Sequence, residues 1–306
     1  MCVMFIDATE ALAQVATRLH RPGDPPLVVN RDPAVKPEDL PALIGAARAH
    51  TILVDHTCLP TEIAMRCPGL RHVVFLGTGA RSYMDIEDLA AHGVSVEIIK
   101  GYGDTAVAEC AVGLMMAAAK GFARMDRGVR AGQWLRTDGV ELKGKTLGLL
   151  GFGGIAAEVA RIAGLGLGME VIAWNRTAKA HPGVRFVDLD TLLAESHVLS
   201  LHLLLCDETR GFLSAARIAQ IREGAILVNT ARGALLDEAA LVAALDSGRL
   251  AHAGLDVFAT EPLPADHPLA RCESVTLSAH SAFRTPEAAE NLIGSALTIC
   301  RRLVGG

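Results

Sequence analysis

The chain has 306 residues, of which 51% are hydrophobic and 21% charged, enough apolar material for the cores of two domains. A net charge of −5 and an aromatic content of 4% argue against the basic patches and stacking platforms of nucleic-acid-binding proteins. Its nonpolar stretches are too short to span a bilayer, and its first residues lack the basic region of a signal peptide. We therefore expect a cytoplasmic protein that acts neither on nucleic acid nor in a membrane.

The first hundred residues alternate short apolar runs with helical stretches. Strands are predicted at residues 3–6, 27–29, 52–54, 72–76 and 94–99, and helices at residues 10–19, 37–49, 60–66 and 85–91. Such alternation is typical of a parallel sheet with helices on both faces. It predicts a small doubly wound α/β domain of the flavodoxin-like type that ends near Gly101.

The second part of the chain begins with a long, almost entirely apolar helix, predicted from Thr105 to Arg124. A helix that is apolar all round must be buried over most of its surface, so we expect it to lie partly in a subunit interface. Further strands are predicted at residues 146–150, 170–174, 184–187, 198–203, 225–229, 251–257 and 274–277.

A last helix is predicted to open with Thr285 as N-cap and Pro286 as its first residue. Because this helix follows the second sheet, it can return to the first domain. The predicted domains are a substrate domain of residues 1–101 plus 284–306, and a dinucleotide-binding domain of residues 102–283.

A glycine turn follows the strand at residues 146–150. Residues 151–156, GFGGIA, match the pattern G-x-G-x-x-G/A, in which Gly151 permits a tight turn and Gly153 lets backbone N–H groups approach a pyrophosphate. The phosphates of such a ligand lie at the N-terminus of the following helix. Because a strand precedes the turn and a helix and a second strand follow it, the segment predicts a Rossmann domain that binds a dinucleotide.

The end of that second strand bears on which dinucleotide is bound. Enzymes selective for NAD usually place a carboxylate about 20 residues beyond the fingerprint, where it binds the ribose 2′-hydroxyl and repels a 2′-phosphate. Here the strand ends in Asn175, Arg176 and Thr177, which supply a cation and uncharged hydrogen-bond donors. The sequence predicts NADP or NAD as the cofactor, with NADP favoured. The alternative is that Arg176 points into solvent and both cofactors bind similarly.

Three strands of the second domain run into Arg232, Glu261 and His280. Open parallel sheets bind ligands at the carboxyl ends of their strands, so these side chains are expected to converge beside the nicotinamide. Hydride transfer to a ketone needs a cation that polarises the carbonyl and a proton donor that titrates near neutrality. Each residue alone has an ordinary surface interpretation, but together they predict an active site. His202 is a second candidate imidazole, which we interpret as structural because no carboxylate or cation accompanies it.

A glycine-rich loop, Gly77-Thr78-Gly79, follows a strand of the first domain. Its backbone N–H groups are suited to bind a substrate carboxylate, and an ordinary turn is the equal alternative. Seven cysteines without a C-x-x-C pair predict buried free thiols in a reducing compartment, and no metal site is expected.

Four segments resemble the D-isomer-specific 2-hydroxyacid dehydrogenases in their order and spacing. They are the fingerprint at 151–156, NTARGALLDEAALVAAL at 229–245, AGLDVFATEPLP at 253–264 and AHSAFRT at 279–285. The resemblance implies reduction of a small 2-oxo acid, such as glyoxylate or hydroxypyruvate, by a homodimer. It implies Arg232 as substrate clamp and a Glu261–His280 pair with His280 as proton donor.

The resemblance further implies substrate binding at Thr78 and Gly79, with Asp256 near the nicotinamide amide. The predicted cofactor-binding residues are Gly151, Phe152, Gly153, Gly154, Ile155, Asn175, Arg176, Thr177, His202, Thr230, Ala231, Arg232, Asp256 and His280.

The sequence departs from the family pattern at several positions. Leu204 stands where a proline is usual, Cys110 replaces a frequent histidine, and the loop after Gly79 differs, which leaves the identity of the substrate open. Two alternative functions remain. One is a dinucleotide-sensing corepressor or scaffold of the same family, and the other is a dehydrogenase of the phosphite or formate type.

Overall fold

The fold is taken from a computed structural model that describes residues 2–305. By internal packing the chain divides into unit 1, Met1–Gly103 with Arg284–Gly306, and unit 2, Asp104–Phe283.

The strands are β1 (Cys2–Phe5), β2 (Leu27–Val29), β3 (Ala49–Val54), β4 (His72–Phe75), β5 (Ser95–Ile98), β6 (Thr146–Leu150), β7 (Glu170–Trp174), β8 (Val184–Phe186), β9 (Val198–Leu201), β10 (Ala225–Asn229), β11 (Leu250–Leu255) and β12 (Val275–Leu277). The α-helices are α1 (Glu10–Leu19), α2 (Leu40–Ala47), α3 (Thr61–Ala64), α4 (Ile86–Ala91), α5 (Asp104–Lys120), α6 (Phe122–Arg130), α7 (Gly154–Arg161), α8 (Leu189–Glu195), α9 (Ala215–Gln220), α10 (Glu238–Asp246), α11 (Pro268–Arg271) and α12 (Pro286–Gly305).

Unit 1 is built on a five-stranded parallel sheet in the order β2-β1-β3-β4-β5. This is the strand order of the flavodoxin-like fold, so the predicted fold class is confirmed for this unit. Helix α12 begins as predicted, because Ala288 N donates to Thr285 Oγ1 at 3.1 Å. Its apolar face packs into the core between the sheet and α1, where Ile293 and Ala296 are fully buried.

Unit 2 is built on a seven-stranded parallel sheet in the order β12-β11-β10-β9-β6-β7-β8. Counted from β6, this is the Rossmann order extended by one strand, which confirms the second half of the predicted fold class. The chain reverses direction across the sheet between β6 and β9. Ligands of doubly wound sheets bind at the carboxyl ends of the strands beside such a reversal.

The predicted single helix from Thr105 to Arg124 is wrong, because the segment forms two helices. Helix α5 ends at Lys120, Gly121 takes the left-handed backbone conformation with φ 67°, and α6 begins at Phe122. A Cβ at Gly121 would lie 2.7 Å from Thr137 Oγ1, and this close approach and the positive φ both favour glycine at the bend. Within residues 2–305, no single helix is long and apolar enough to cross a membrane. The α5–α6 pair has the length and composition but is bent by 65°.

The cysteines differ in part from the expectation. All seven are free, as predicted, but only Cys67 and Cys300 are buried, while Cys58 is exposed. The absence of C-x-x-C pairs thus predicted free thiols, but the prediction that all of them are buried is wrong.

A buried histidine on β11 makes the stability of unit 2 depend on pH. His252 is 8% exposed, its Nε2 lies 3.0 Å from Thr276 Oγ1, and burial, with the charge of Arg127, lowers its pKa to about 4. Because the folded pKa is below the unfolded value, the unfolded chain binds more protons as the pH falls. His252 thus reduces the stability of unit 2 progressively as the pH falls from above 6.5 towards 4.

We expect His252→Gln to remove this pH dependence. Gln can keep the hydrogen bond to Thr276 but carries no titrating group. On lowering the pH from about 7.5 to about 4.5, the variant should lose less stability than the wild type, by on the order of 2 kcal/mol. Both tryptophans, Trp134 and Trp174, lie in unit 2, so denaturant unfolding followed by their fluorescence reports on this unit. Equal losses in both proteins would contradict the burial of a neutral imidazole.

Candidate active site

The two glycines of the turn after β6 have different surroundings. Gly151 has φ 92°, and a Cβ there would lie 2.9 Å from the carbonyl carbon and oxygen of His202, so the loop after β9 lies directly against the turn. Gly153 is the N-cap of α7 without a side-chain cap, and open space surrounds the position of its missing Cβ. The first N–H groups of α7 are thus available to an anion, as a pyrophosphate requires.

The end of β7 lies beside this turn. Gly151 N donates to Trp174 O at 2.9 Å, and Phe152 N donates to Asn175 Oδ1 at 3.2 Å. Asn175 Nδ2 in turn donates to Thr177 O at 2.8 Å. The predicted cofactor residues at the end of β7 are therefore brought to the glycine turn, and Asn175 is held by both segments.

Arg176 has a partner that the sequence did not predict. Its Nη1 lies 2.9 Å from Glu208 Oε2, in the loop after β9, and both side chains are largely exposed. A carboxylate is therefore present at the end of β7, although β7 itself does not supply it. Because Glu208 lies 32 residues further along the chain, no local spacing rule could identify it.

The residues of unit 2 fit a dinucleotide. At the end of β10, Thr230 Oγ1 is buried and has no hydrogen-bond partner among residues 2–305, as expected of a group that binds a ligand. Ala231 follows it, half-buried. On the other side of the turn, the buried Phe152 ring packs against Phe186, and Ile155 joins the same apolar cluster. A dinucleotide bound along the carboxyl edge of the sheet could place its phosphates in the open space at Gly153 and accept or donate a hydrogen bond at the Thr230 hydroxyl.

Gly154 makes a close approach that the fingerprint pattern does not explain. A Cβ at Gly154 would lie 1.9 Å from Oδ2 of Asp104, which is at the start of α5. The Asp104 carboxyl is partly buried at this contact, and burial raises its pKa. The sequence analysis did not single out Asp104, since α5 and α7 are far apart in the chain.

Arg232 lies just beyond the end of β10 and is exposed. The turn before it is held by the buried Asn229, whose Nδ2 donates to Arg232 O at 2.9 Å and whose Oδ1 accepts from Ala231 N at 3.0 Å. Arg232 Nη1 donates to Ala231 O at 2.6 Å. Asn229 was not among the predicted site residues, although a polar residue at the end of an apolar strand is a signal that a sequence can show.

The backbone of Gly233 brings the Arg232 loop against the loop after β11. A Cβ at Gly233 would lie 1.9 Å from the carbonyl carbon of Phe258 and 2.3 Å from Ala259 N. Only glycine fits there, because both neighbours are backbone atoms. The loops that carry Arg232 and Glu261 are therefore in direct contact.

Glu261 and His280 form a hydrogen-bonded pair. His280 Nδ1 lies 2.6 Å from Glu261 Oε2, while Glu261 Oε1 accepts from Phe258 N at 2.9 Å. Both side chains of the pair are about one-third exposed, so solvent and small molecules reach them. With Nδ1 held by the carboxylate, Nε2 is the nitrogen left to donate a proton to a substrate. The ring of Phe283 stands edge-on to the imidazole, at 6.2 Å between centroids.

Asp256 fixes the loop that carries His280. It is fully buried, and its carboxylate accepts hydrogen bonds from Ser278 Oγ at 2.6 Å and from Ser281 N and Ala282 N at 3.0 Å each. Its backbone carbonyl accepts from His280 N at 2.7 Å, which helps to hold His280 at φ 48°. This positioning role was not predicted, and the predicted role of Asp256 beside the nicotinamide amide stays a prediction.

Two other residues singled out in the sequence are half-buried. His202 Nε2 lies 2.9 Å from Ser200 Oγ, and burial lowers the pKa of His202 to about 4, so the imidazole is neutral near neutral pH. A neutral imidazole paired with a hydroxyl is not a strong proton donor. Cys110 lies on α5, where burial and the charge of Asp256 raise the pKa of its thiol to about 11.

The predicted substrate loop lies in unit 1, at the carboxyl end of β4. Gly77 has φ 150°, Thr78 is exposed, and Gly79 precedes the 3₁₀ turn Ala80–Ser82. The structure thus brings Arg232, Glu261 and His280 to the ends of three adjacent strands of unit 2, and it places Thr78 and Gly79 at a strand end of unit 1.

Comparison with known proteins identifies the family. Residues 112–282, more than half of the chain, match the family model of the D-isomer specific 2-hydroxyacid dehydrogenase, NAD binding domain. The glyoxylate reductase of Aeropyrum pernix is 38% identical over 286 residues, which cover 85% of this chain and 84% of that protein. The chain belongs to the D-isomer specific 2-hydroxyacid dehydrogenases.

Further similarities agree with this membership. The hydroxypyruvate reductase of Blautia hydrogenotrophica is 31% identical over 291 residues, which cover 92% of this chain and 89% of that protein. A crystal structure of a protein from Thermus thermophilus has a TM-score of 0.84 at 32% identity, over 97% of this chain and 94% of that one. The predicted family is confirmed, and with it an oxidoreductase of 2-hydroxy and 2-oxo acids that uses a nicotinamide dinucleotide.

Proposed function

We propose that this D-2-hydroxyacid dehydrogenase reduces a small 2-oxo acid of the glyoxylate or hydroxypyruvate type to the D-2-hydroxy acid. The observation that carries the proposal is the Glu261–His280 pair, whose 2.6 Å hydrogen bond orients the imidazole at the carboxyl edge of the sheet. The names of the Aeropyrum and Blautia relatives support the class of substrate.

The side chains of unit 2 have distinct roles in the proposed reaction. The dinucleotide, when bound at the glycine turn, supplies the hydride. His280 donates a proton from Nε2 to the carbonyl oxygen of the substrate, and Glu261 at Nδ1 stabilises the protonated imidazole and fixes its orientation. The Arg232 guanidinium holds the substrate carboxylate through two parallel hydrogen bonds and polarises the adjacent carbonyl.

Backbone N–H groups of the Thr78–Gly79 loop are the proposed substrate ligands of unit 1. Thr78 is exposed, and the glycines on both sides of it carry no side chain that would cover its backbone. Such a loop binds a carboxylate without a side-chain charge.

We expect His280→Gln to lower kcat for glyoxylate and hydroxypyruvate by about 10²- to 10⁴-fold, the usual worth of general acid catalysis. Gln can still occupy the space next to Glu261 but cannot deliver the proton. Turnover is followed by the loss of nicotinamide absorbance. Cofactor affinity, measured by fluorescence titration, should stay within about 2-fold of wild type, because the glycine turn and the other predicted cofactor-binding residues are unchanged. Turnover near the wild-type rate would remove His280 from the mechanism. Wild-type turnover only with phosphite or formate would contradict the proposed substrate.

The proposed cofactor preference is NADPH over NADH. It is supported by Arg176 at the end of β7, by the uncharged Asn175 and Thr177 on either side of it, and by their position beside the glycine turn. A guanidinium at this place can pair with a 2′-phosphate.

Arg176→Ala should weaken NADPH binding by roughly 10-fold or more, because a hydrogen bond to a charged group contributes about 1.5 to 3 kcal/mol. NADH, which lacks the phosphate, should bind nearly as in the wild type. Dissociation constants from titrations of nicotinamide fluorescence give both numbers. Equal losses for the two cofactors would show that Arg176 does not bind the phosphate.

We also propose that the enzyme is a homodimer. Large apolar side chains are exposed along one segment of unit 2, at Phe122, Val129, Trp134 and Val140, and Trp134 is 82% exposed. Exposed apolar residues that follow one another in this way are typical of a surface covered by a partner. Sedimentation velocity at micromolar concentration should give a dimer, and Trp134→Ser should shift the distribution towards monomer. A monomeric wild type would contradict this proposal.

A further inference from the structure

The pair between Arg176 and Glu208 points to a second determinant of cofactor choice. Nη1 of Arg176 lies 2.9 Å from Oε2 of Glu208, and the two side chains are 79% and 73% exposed. In Rossmann domains that select NAD over NADP, the carboxylate that binds the ribose 2′-hydroxyl lies at the end of the second strand. Here the end of that strand, β7, carries the arginine, and the carboxylate reaches it from another strand.

The loop after β9 can do this because of the strand order. Strand β6 lies between β9 and β7, so the loop has only to cross the end of one strand. The missing side chain at Gly151 lets this loop, at His202, lie directly on the glycine turn. The strand order therefore brings Glu208 to Arg176 at the end of β7.

Internal hydrogen bonds hold the loop that carries Glu208. Thr209 Oγ1 accepts from Cys206 N at 2.8 Å and donates to Leu204 O at 2.6 Å, and Arg210 N donates to Cys206 O at 2.9 Å. Cys206 Sγ lies 3.7 Å from Glu208 Oε2, within reach of a weak hydrogen bond from the thiol. Glu208 is therefore a side chain on an ordered turn, and the ion pair does not depend on a long unsupported loop.

We propose that Glu208 is a cofactor-specificity residue that lowers the preference for NADPH through Arg176. Its carboxylate pairs with the guanidinium when no 2′-phosphate is present, so NADPH must replace this pair and bring a phosphate close to a negative charge. NADH need not break the ion pair and is not repelled by the carboxylate, because its 2′-hydroxyl carries no charge. The inference rests on the proposed role of Arg176 in binding the 2′-phosphate. It adds Glu208 as a residue that weakens the NADPH preference conferred by Arg176.

The pair is solvent-exposed, and this sets the size of the effect. Exposed ion pairs are weak, so Glu208 does not prevent NADPH binding. Two charges a few ångströms apart in water interact with an energy that corresponds to about a 3- to 10-fold change in a dissociation constant.

Another cation beside the turn, Lys179, donates through Nζ to Phe152 O and is therefore directed to the backbone.

The test compares Glu208→Gln with the wild type in direct binding of NADPH and NADH, measured by titration of nicotinamide fluorescence without substrate. Gln keeps the size of the side chain and removes its charge. We expect NADPH to bind about 3- to 10-fold more tightly and NADH to change by less than about 2-fold, on the scale of the Coulomb interaction. A matched control is Glu195→Gln, which removes the same charge from an exposed pair with Arg185, 2.7 Å apart. It should leave the ratio of the two affinities unchanged.

The same titration with Arg176→Ala, alone and combined with Glu208→Gln, distinguishes the two proposals. If Arg176 binds the phosphate and Glu208 acts through it, the gain from Glu208→Gln disappears in the double variant. Equal gains for NADPH and NADH, no gain, or a gain that persists without Arg176 would overturn the role given to Glu208. If Arg176→Ala alone leaves NADPH affinity unchanged, the proposed role of Arg176 fails, whatever Glu208→Gln does.

Discussion

The backbone of Gly233 lies against the backbone of Phe258 and Ala259, and the positions of Arg232 and Glu261 depend on this contact. A Cβ at residue 233 would lie 1.9 Å from the carbonyl carbon of Phe258, closer than two nonbonded carbon atoms can approach. The contact joins the turn that carries Arg232 to the turn that carries Glu261. Since Glu261 also binds Phe258 N, the same few backbone atoms fix the cation and the carboxylate.

Three carboxylates at the carboxyl edge of the sheet differ in burial, and their roles differ accordingly. Asp256 is fully buried and accepts only protein hydrogen bonds, so it serves to position the His280 loop. Glu261 is partly exposed and shares its two oxygens between the backbone and an imidazole, and its proposed part in proton transfer rests on this arrangement. Glu208 is largely exposed and pairs with a cation that a ligand can also bind. One sheet edge thus supplies a carboxylate that holds a loop, one that we propose to assist catalysis and one that we propose to bear on cofactor choice.

The sequence predicted those features that are encoded locally. Apolar runs gave strands β6, β7 and β10 with their observed bounds, and the alternation of strands and helices gave both sheets. The break in the helix after Asp104 was missed because the apolar composition continues through Gly121, which takes the left-handed conformation with φ 67°. Apolar composition alone does not distinguish a glycine inside a helix from one at which a helix ends.

Parts of the candidate site depend on residues that are distant in the chain, and these were not predictable. Asp104 meets Gly154, and Glu208 meets Arg176, because the order of the parallel strands brings separate loops together. Strand β7 itself ends without a carboxylate, as the sequence shows, but Glu208 from the loop after β9 lies beside Arg176. This approach follows from the strand order β9-β6-β7, which a linear spacing rule does not contain.

The central claim is that Glu261 acts on the substrate only through His280. A double-mutant cycle of Glu261→Gln and His280→Gln, measured as kcat/KM for glyoxylate with NADPH, tests it most directly. The account predicts that each single variant loses activity and that the double variant is no slower than His280→Gln alone, because residues that act as a unit are not additive. Losses that multiply in the double variant would show that Glu261 and His280 act independently, and would contradict the account.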